Sequence, residues 1–399
     1  MNSIMKVSTR NIKIIRDRLE KLYNEFNIEC LGEDFKVEIG DERVDFGFPD
    51  DHFDDIVSVD DFLLYTEDLD SLIKENDSTV RMGKIRQTIL IINGYQYDCL
   101  SPIITYDDDL ISLSIVHRPL LIGFVASKER IYNEDFGISP CSLYTAVELR
   151  YKGDKYYLKD EEDQLIQRFI YHIAAKYDLH IEIGEFAYWE DWYDEHKPED
   201  YCLTESALMP YSKAMEYYSR ALAIEDLDIQ FHYLYKIIEH YSPVVSRKVA
   251  YEKLNQKLDS LSVVKRDYEY LNSLLDLAGQ YQKSLKDSEL CKTVLLECVD
   301  VTSIFALLPS KVKKSLTKKY AFKESDISKL KDSTLDMVKV ELGTVIYNTR
   351  NRIVHAKSNW KGSDAACYEP DMADMNEFMK ALAQCLIVWN GRQPEEFRI

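Results

Sequence analysis

The apolar residues of this chain change their period near residue 200, so a single uniform architecture cannot bury them all. From about Asp34 to Ile183 they come in short β-rich runs, among them Thr88–Ile92, Gln96–Leu100 and Tyr144–Tyr151. Turn signals at Asn93-Gly94 and Gly153-Asp154 divide these runs, and Asn-Gly between apolar runs predicts a hairpin. A helix is predicted over Asp160–Lys176, burying Leu165, Phe169 and Ile173, with a strand over Leu179–Ile183 after it. Upstream, Ile12, Ile15, Leu19, Leu22 and Phe26 form an amphipathic stripe behind Ser8 as N-cap, expected to dock on its own domain. Beyond Pro210 the spacing becomes helical almost throughout. Phe231, Leu234, Ile238 and Tyr241 follow Asp226 as N-cap, in a helix predicted to end before Pro243. Further helices are predicted over 246–260, 264–284, 287–307, 325–331, 333–357 and 374–390, the last stopped by Asn390-Gly391. The expected fold class is an α+β N-terminal domain, residues 1–200, followed by an all-α helical bundle over 209–399. Residues 190–208, beginning in the acidic, proline-containing stretch Glu190–Tyr201, form the expected linker.

Charge divides at the same place. The net charge is −20, yet residues 1–200 carry 22 basic and 43 acidic side chains while residues 201–399 are close to neutral. An acidic surface repels phosphate, so contact with nucleic acid is expected in the second half only. The longest apolar segment, Val294–Leu308, is interrupted by Glu297 and Asp300, which argues against a membrane span. The opening residues interleave apolar positions with Lys6, Arg10, Lys13, Arg16 and Arg18, unlike an export signal. The eight cysteines lack the close spacing of a zinc knuckle, so no metal is expected and the chain is placed in the cytoplasm with free thiols.

The segment Leu342–Lys357 holds the candidate chemistry. At helical spacing, Leu342, Val345, Ile346, Thr349, Ile353 and Ala356 share a stripe about 100° wide that faces the core. Asn348, Asn351 and His355 lie on the opposite face, and Arg350 emerges from the flank. A guanidinium that grips phosphate bidentately, an amide and an imidazole that titrates near neutrality suit phosphodiester cleavage. A solvated helix face opposite a core stripe has the same pattern. Gly343 and Tyr347 flank Arg350 and allow a second helix to approach closely, either from the same domain or from a second copy.

Arg350-Asn351-Arg352-Ile353-Val354-His355 resembles the R-x4-H signature of HEPN domains, and Phe231–Glu239 is similar to an early core helix of their Apea-like branch. The likeness covers residues 209–392 and leaves the first 200 unassigned. It implies a metal-independent endoribonuclease, without cofactor, whose two copies pair as a homodimer around one composite cleft. Arg350 would bind and polarise the scissile phosphate, Asn351 would orient it, and His355 would be the general acid or base. The 2′-hydroxyl would attack, leaving a cyclic phosphate. The resemblance also implies a role in anti-phage defence or as a toxin. The N-terminal domain would then act as a sensor for a phage-derived trigger or a small-molecule activator. A non-catalytic module binding RNA, a nucleotide or a protein is the alternative.

Five lysines in nine residues, Lys311, Lys313, Lys314, Lys318 and Lys319, form the densest basic patch, suited to an RNA substrate such as tRNA or to a solvated helix face. Glu148 and Arg150, two apart on a predicted strand, match a fragment of a metal-dependent nuclease core without an identifiable upstream carboxylate. His232 and His240 lie on one helix without a third ligand.

Overall fold

A computed structural model describes residues 9–26, 28, 43–46, 55–92, 104–131, 144–186, 203–205, 207–259, 269–270, 272–275, 286–354 and 366–399. The chain divides into two compact units, Met1–Leu208 and Met209–Ile399. Asn93-Gly94, Gln96–Leu100, Ser8, the Glu190–Tyr201 stretch, His355 and Ala356 lie outside the described residues, as does most of the helix expected over 264–284.

The first unit contains helices α1 (Thr9–Phe26), α2 (Val59–Tyr65), α3 (Leu120–Glu129) and α4 (Lys159–Tyr177). Its strands are β1 (Arg43–Phe46), β2 (Asp55–Ser58), β3 (Ile73–Asn76), β4 (Thr79–Met82), β5 (Ile85–Ile92) and β6 (Ile104–Asp107). They continue as β7 (Ile111–His117), β8 (Thr145–Tyr151), β9 (Ile181–Ile183) and β10 (Leu203–Glu205). The main sheet runs β10-β6-β7-β8-β5-β4-β3, with β9 also paired to β5; β10 and β6 are parallel and the other pairs antiparallel. Over Thr88–Leu90, β5 is flanked by β8 on one edge and by β4 and β9 on the other.

Strand alternation gives this sheet two buried faces. Ile85, Ile89 and Ala146 join the cluster formed by α1, α2 and α3, in which Ile15, Leu19, Leu22 and Phe26 present the expected stripe of the opening helix. Leu90, Ile92, Val147 and Leu149 face α4 through Leu165, Ile166, Phe169 and Ile173. Two charged groups buried on these faces, Glu148 and Arg86, have protein partners. Glu148, fully buried, accepts hydrogen bonds from the Tyr65 hydroxyl at 2.7 Å, Gln87 Nε2 at 2.6 Å and Arg150 Nε. Its carboxylate is therefore occupied by three protein donors. On the α4 face, Arg86 meets Glu75, Glu162 and Asp163, the last at 2.6 Å.

The second unit is helical: α5 (Lys213–Leu222), α6 (Leu227–Asp259), α7 (Asp287–Cys298), α8 (Val301–Ile304), α9 (Ser310–Lys319), α10 (Asp332–Val354) and α11 (Met372–Gly391). Asp226 caps α6, its carboxylate accepting from the backbone N–H groups of Asp228 and Ile229, both at 3.0 Å. The expected helix end before Pro243 is corrected, because α6 runs on through the proline for 33 residues. Proline frees the carbonyl of the residue four positions earlier, Glu239. The Ser242 hydroxyl donates to that carbonyl at 3.1 Å and satisfies it in place of the missing N–H. The single helix expected over 287–307 is instead broken at Val299, where the backbone is extended and Asp300 caps the next turn. The 325–331 helix is a 3-10 segment, Glu324–Lys329.

Gly343 is buried where α10 crosses α7. A Cβ there would lie 2.9 Å from Lys292 Cγ and 3.0 Å from its Cα. The glycine thus permits a close helix approach inside the unit. Gly343→Val should lower the unfolding free energy by about 2 kcal/mol or more through this overlap, measured by denaturant unfolding of the full chain; an unchanged midpoint would show that α7 yields freely.

Candidate active site

The end of α10 is positioned by its buried stripe. Leu342, Ile346 and Thr349 are fully buried and Val345 is nearly so, as the spacing predicts, whereas Ile353 is half-buried. Thr349 is also a fastening point: its hydroxyl donates to the Val345 carbonyl at 2.8 Å and accepts from the Cys367 backbone N–H at 3.0 Å. This fixes the rotation of the helix about its axis.

With that rotation set, the two arginines of the motif meet α6 differently. Arg352 has a two-point carboxylate partner, although its Nε, like that of Arg350, is buried without an acceptor. It makes a bidentate pair with Asp228, Nη1 to Oδ2 at 2.9 Å and Nη2 to Oδ1 at 2.5 Å, and its guanidinium lies 5.2 Å from the Tyr368 ring centroid. Arg350 is held more loosely. Its Nη2 donates to Glu239 Oε1 at 3.2 Å, its Nη1 to Asn351 Oδ1 at 3.2 Å, and its guanidinium stands 5.7 Å from the ring centroid of buried Tyr235. The Arg350 Nε is buried without a hydrogen-bond acceptor. Neither guanidinium uses all five of its N–H donors, but Arg350 has no bidentate carboxylate and so keeps its two-point edge for an oxyanion.

The α6 residues at this face, His232, Tyr235 and Glu239, recur at three- and four-residue spacing. Their pairing with α10 was not legible beforehand, because nothing local joins residues more than 100 positions apart; the only signal was the likeness of Phe231–Glu239 to a family core helix. His232 is half-buried and its Nδ1 has no hydrogen-bond partner. Burial and the nearby Lys236 ammonium lower its pKa below the usual imidazole value, Arg350 adds to the effect, and Glu239 opposes it. His240 instead approaches the Ser212 hydroxyl, at 3.5 Å. His355 is outside the described residues, so the structure brings Arg350 and Asn351 together and leaves the third member of the expected set undefined.

The five lysines lie on α9, and two of them are in ion pairs. Lys313 pairs with Glu324 at 3.3 Å, and Lys319 with Glu341 at 2.7 Å. Lys311, Lys314 and Lys318 are exposed, and Lys311 lines a small cavity of about 100 Å³ with Cys367. Among the described residues, no group of three or more His, Cys, Asp or Glu is placed to hold a metal ion, and no helix is long and apolar enough to cross a membrane.

No protein-family model, curated protein or solved structure matches this chain.

The unequal partners of the two arginines separate their roles. Asp228→Asn should destabilise the helical unit by about 1–2 kcal/mol, because it leaves Arg352 without its bidentate acceptor, whereas Glu239→Gln should cost about 0.5 kcal/mol or less. Denaturant unfolding of both variants checks this, and the reverse ordering would make Arg350 the structural arginine.

Proposed function

We propose that the helical half is a HEPN-like ribonuclease domain that cleaves RNA by attack of the 2′-hydroxyl, acting in anti-phage defence or as a toxin. The observation that carries this reading is Arg350, which makes only single hydrogen bonds, to Asn351 and Glu239 at 3.2 Å each, while its neighbour Arg352 is paired bidentately with Asp228. An arginine without a bidentate carboxylate at the end of a helix is suited to a phosphate, whose oxygens accept two parallel N–H bonds. In this reading, Arg350 binds the scissile phosphate and carries the charge that builds on it. Asn351 orients the phosphate, and His355, four residues on, moves a proton. The O2′–P bond forms as the P–O5′ bond breaks; the 2′-hydroxyl loses its proton to a base and the departing O5′ gains one.

The pairing of two copies, with one motif from each, rests on the family resemblance, since Gly343 is taken up by α7 within one copy. The acidic N-terminal unit, net −21 over residues 1–200, would keep RNA away from its own surface and offer a basic trigger protein a docking face. The basic helix α9 would contact the RNA backbone away from the cleavage point.

Purified wild type, Arg350→Ala and His355→Ala should be compared on total RNA and tRNA in the presence of EDTA. Wild type is expected to cut, and loss of His355 to slow cleavage by about 10²–10⁴-fold, the usual contribution of general acid–base catalysis. Equal cleavage by all three would remove the motif from the chemistry. RNA binding without cleavage by any of them would favour a non-catalytic binding module.

A further inference from the structure

The cleft beside α9 is built by a turn that reverses the chain. Tyr320 N–H donates to the Leu316 carbonyl at 3.0 Å, Phe322 N–H donates to the Thr317 carbonyl at 3.1 Å, and Ala321 between them takes a left-handed conformation with φ of 53°. That conformation suits glycine and costs a residue with a Cβ about 1 kcal/mol, so the surrounding contacts must hold it in place. One such contact is the packing of Phe322 on Phe305, with ring centroids 5.8 Å apart. The reversal brings Phe322, Lys323 and Glu324 back alongside Lys313 and Lys314, and together they line an open cleft of about 350 Å³.

Three ammonium groups and one carboxylate face this space. Lys313 is held by the Ala306 carbonyl at 2.9 Å and by Glu324 at 3.3 Å, so a carboxylate oxygen already occupies one anion position. Lys314 and Lys323 are exposed and, among the described residues, enter no ion pair. Two uncompensated cations beside an aromatic side chain, in a volume at the small end of the roughly 300–1,000 Å³ range of ligand pockets, specify a small dianion carrying a flat apolar group. An apolar ligand would strand the lysines, and a bare anion would leave Phe322 unused.

We propose that this cleft binds one nucleotide, with Lys314 and Lys323 on its phosphate and Phe322 beside its base. The assignment draws only two residues, Lys313 and Lys314, from the lysine cluster, adds Lys323 and Phe322, and stands independently of the cleavage reading. The nucleotide is either free or one unit of an RNA strand, and the chemistry recognised is the same.

Calorimetric titration of the full chain at low salt tests it with three probes: uridine 5′-monophosphate, inorganic phosphate, and a 2′-O-methyl hexauridylate that resists 2′-hydroxyl attack. Lys314→Ala/Lys323→Ala is compared with Lys286→Ala/Lys331→Ala, which removes the same charge from exposed lysines of the helical unit that do not line this cleft. Uridine monophosphate is expected to bind more tightly than phosphate, and the first double variant to weaken it about tenfold or more, the second less than threefold. Binding of the monophosphate identifies a free-nucleotide site, and the same selective loss with the oligonucleotide alone identifies a strand-binding one. The proposal is overturned if neither nucleotide probe binds wild type, or if both double variants weaken binding equally. His355→Ala should bind as wild type does, so loss of cleavage and loss of this site are read separately.

Discussion

The ion pair between Asp228 and Arg352 fixes what the rest of the helical unit can do. It joins the first turn of α6 to the last turn of α10 with two parallel hydrogen bonds; Arg352 is largely enclosed, its side chain 17% exposed, while Asp228 is 40% exposed. A two-point contact between planar groups sets the relative rotation of the two helices as well as their spacing. Given that rotation, Arg350, two positions earlier on α10, meets Glu239 farther along α6. Removing one partner would leave a charge short of its acceptor in a partly dry position, a larger loss than the pair's own net contribution.

Two further devices keep that interface in register. The Ser242 hydroxyl repairs the backbone bond that Pro243 removes, so α6 continues as one helix and carries His232, Tyr235 and Glu239 on the same element as its later core residues. Gly343 lets α10 sit against the backbone of α7, which would otherwise push it away from α6. Arg350 is thereby mounted on a rigid element, while its guanidinium keeps an N–H with no acceptor. Buried donors without acceptors are rare in native structures and cost about 1–3 kcal/mol each. Arg350 and Arg352 each keep one such Nε, and of the two it is Arg350 that lacks a bidentate carboxylate, which suits it to a ligand.

Legibility in the sequence followed the range of the interaction. The α1 stripe, the buried face of α10 and the Asp226 cap are local, and the periodicity of Ile15, Leu19, Leu22 and Phe26 or of Leu342, Val345, Ile346 and Thr349 was sufficient to find them. Pro243 was misread because the propensity argument counts only the lost N–H, and the compensating hydroxyl is supplied by a neighbour whose rotamer the sequence does not show. The break at Val299 was missed because apolar spacing continues through it. Among the site residues, Arg350 and Asn351 were legible from the motif. That Arg352 pairs bidentately with Asp228 and Arg350 singly with Glu239 was not, because these partners lie 124 and 111 positions upstream. The lysine cluster looked uniform in one dimension, yet folding pairs two of its members with acids and turns others toward different cavities.

The most direct measurement of the central claim is the chemistry of the cut. A short RNA with one cleavage site is incubated with the full chain, and the product ends are identified by mass spectrometry, alongside the same strand carrying a single 2′-deoxyribose at the scissile position. The account predicts a 2′,3′-cyclic phosphate and a 5′-hydroxyl from the first strand and an intact second strand. A 5′-phosphate product, or cleavage of the deoxy-substituted strand at the same position, would contradict it.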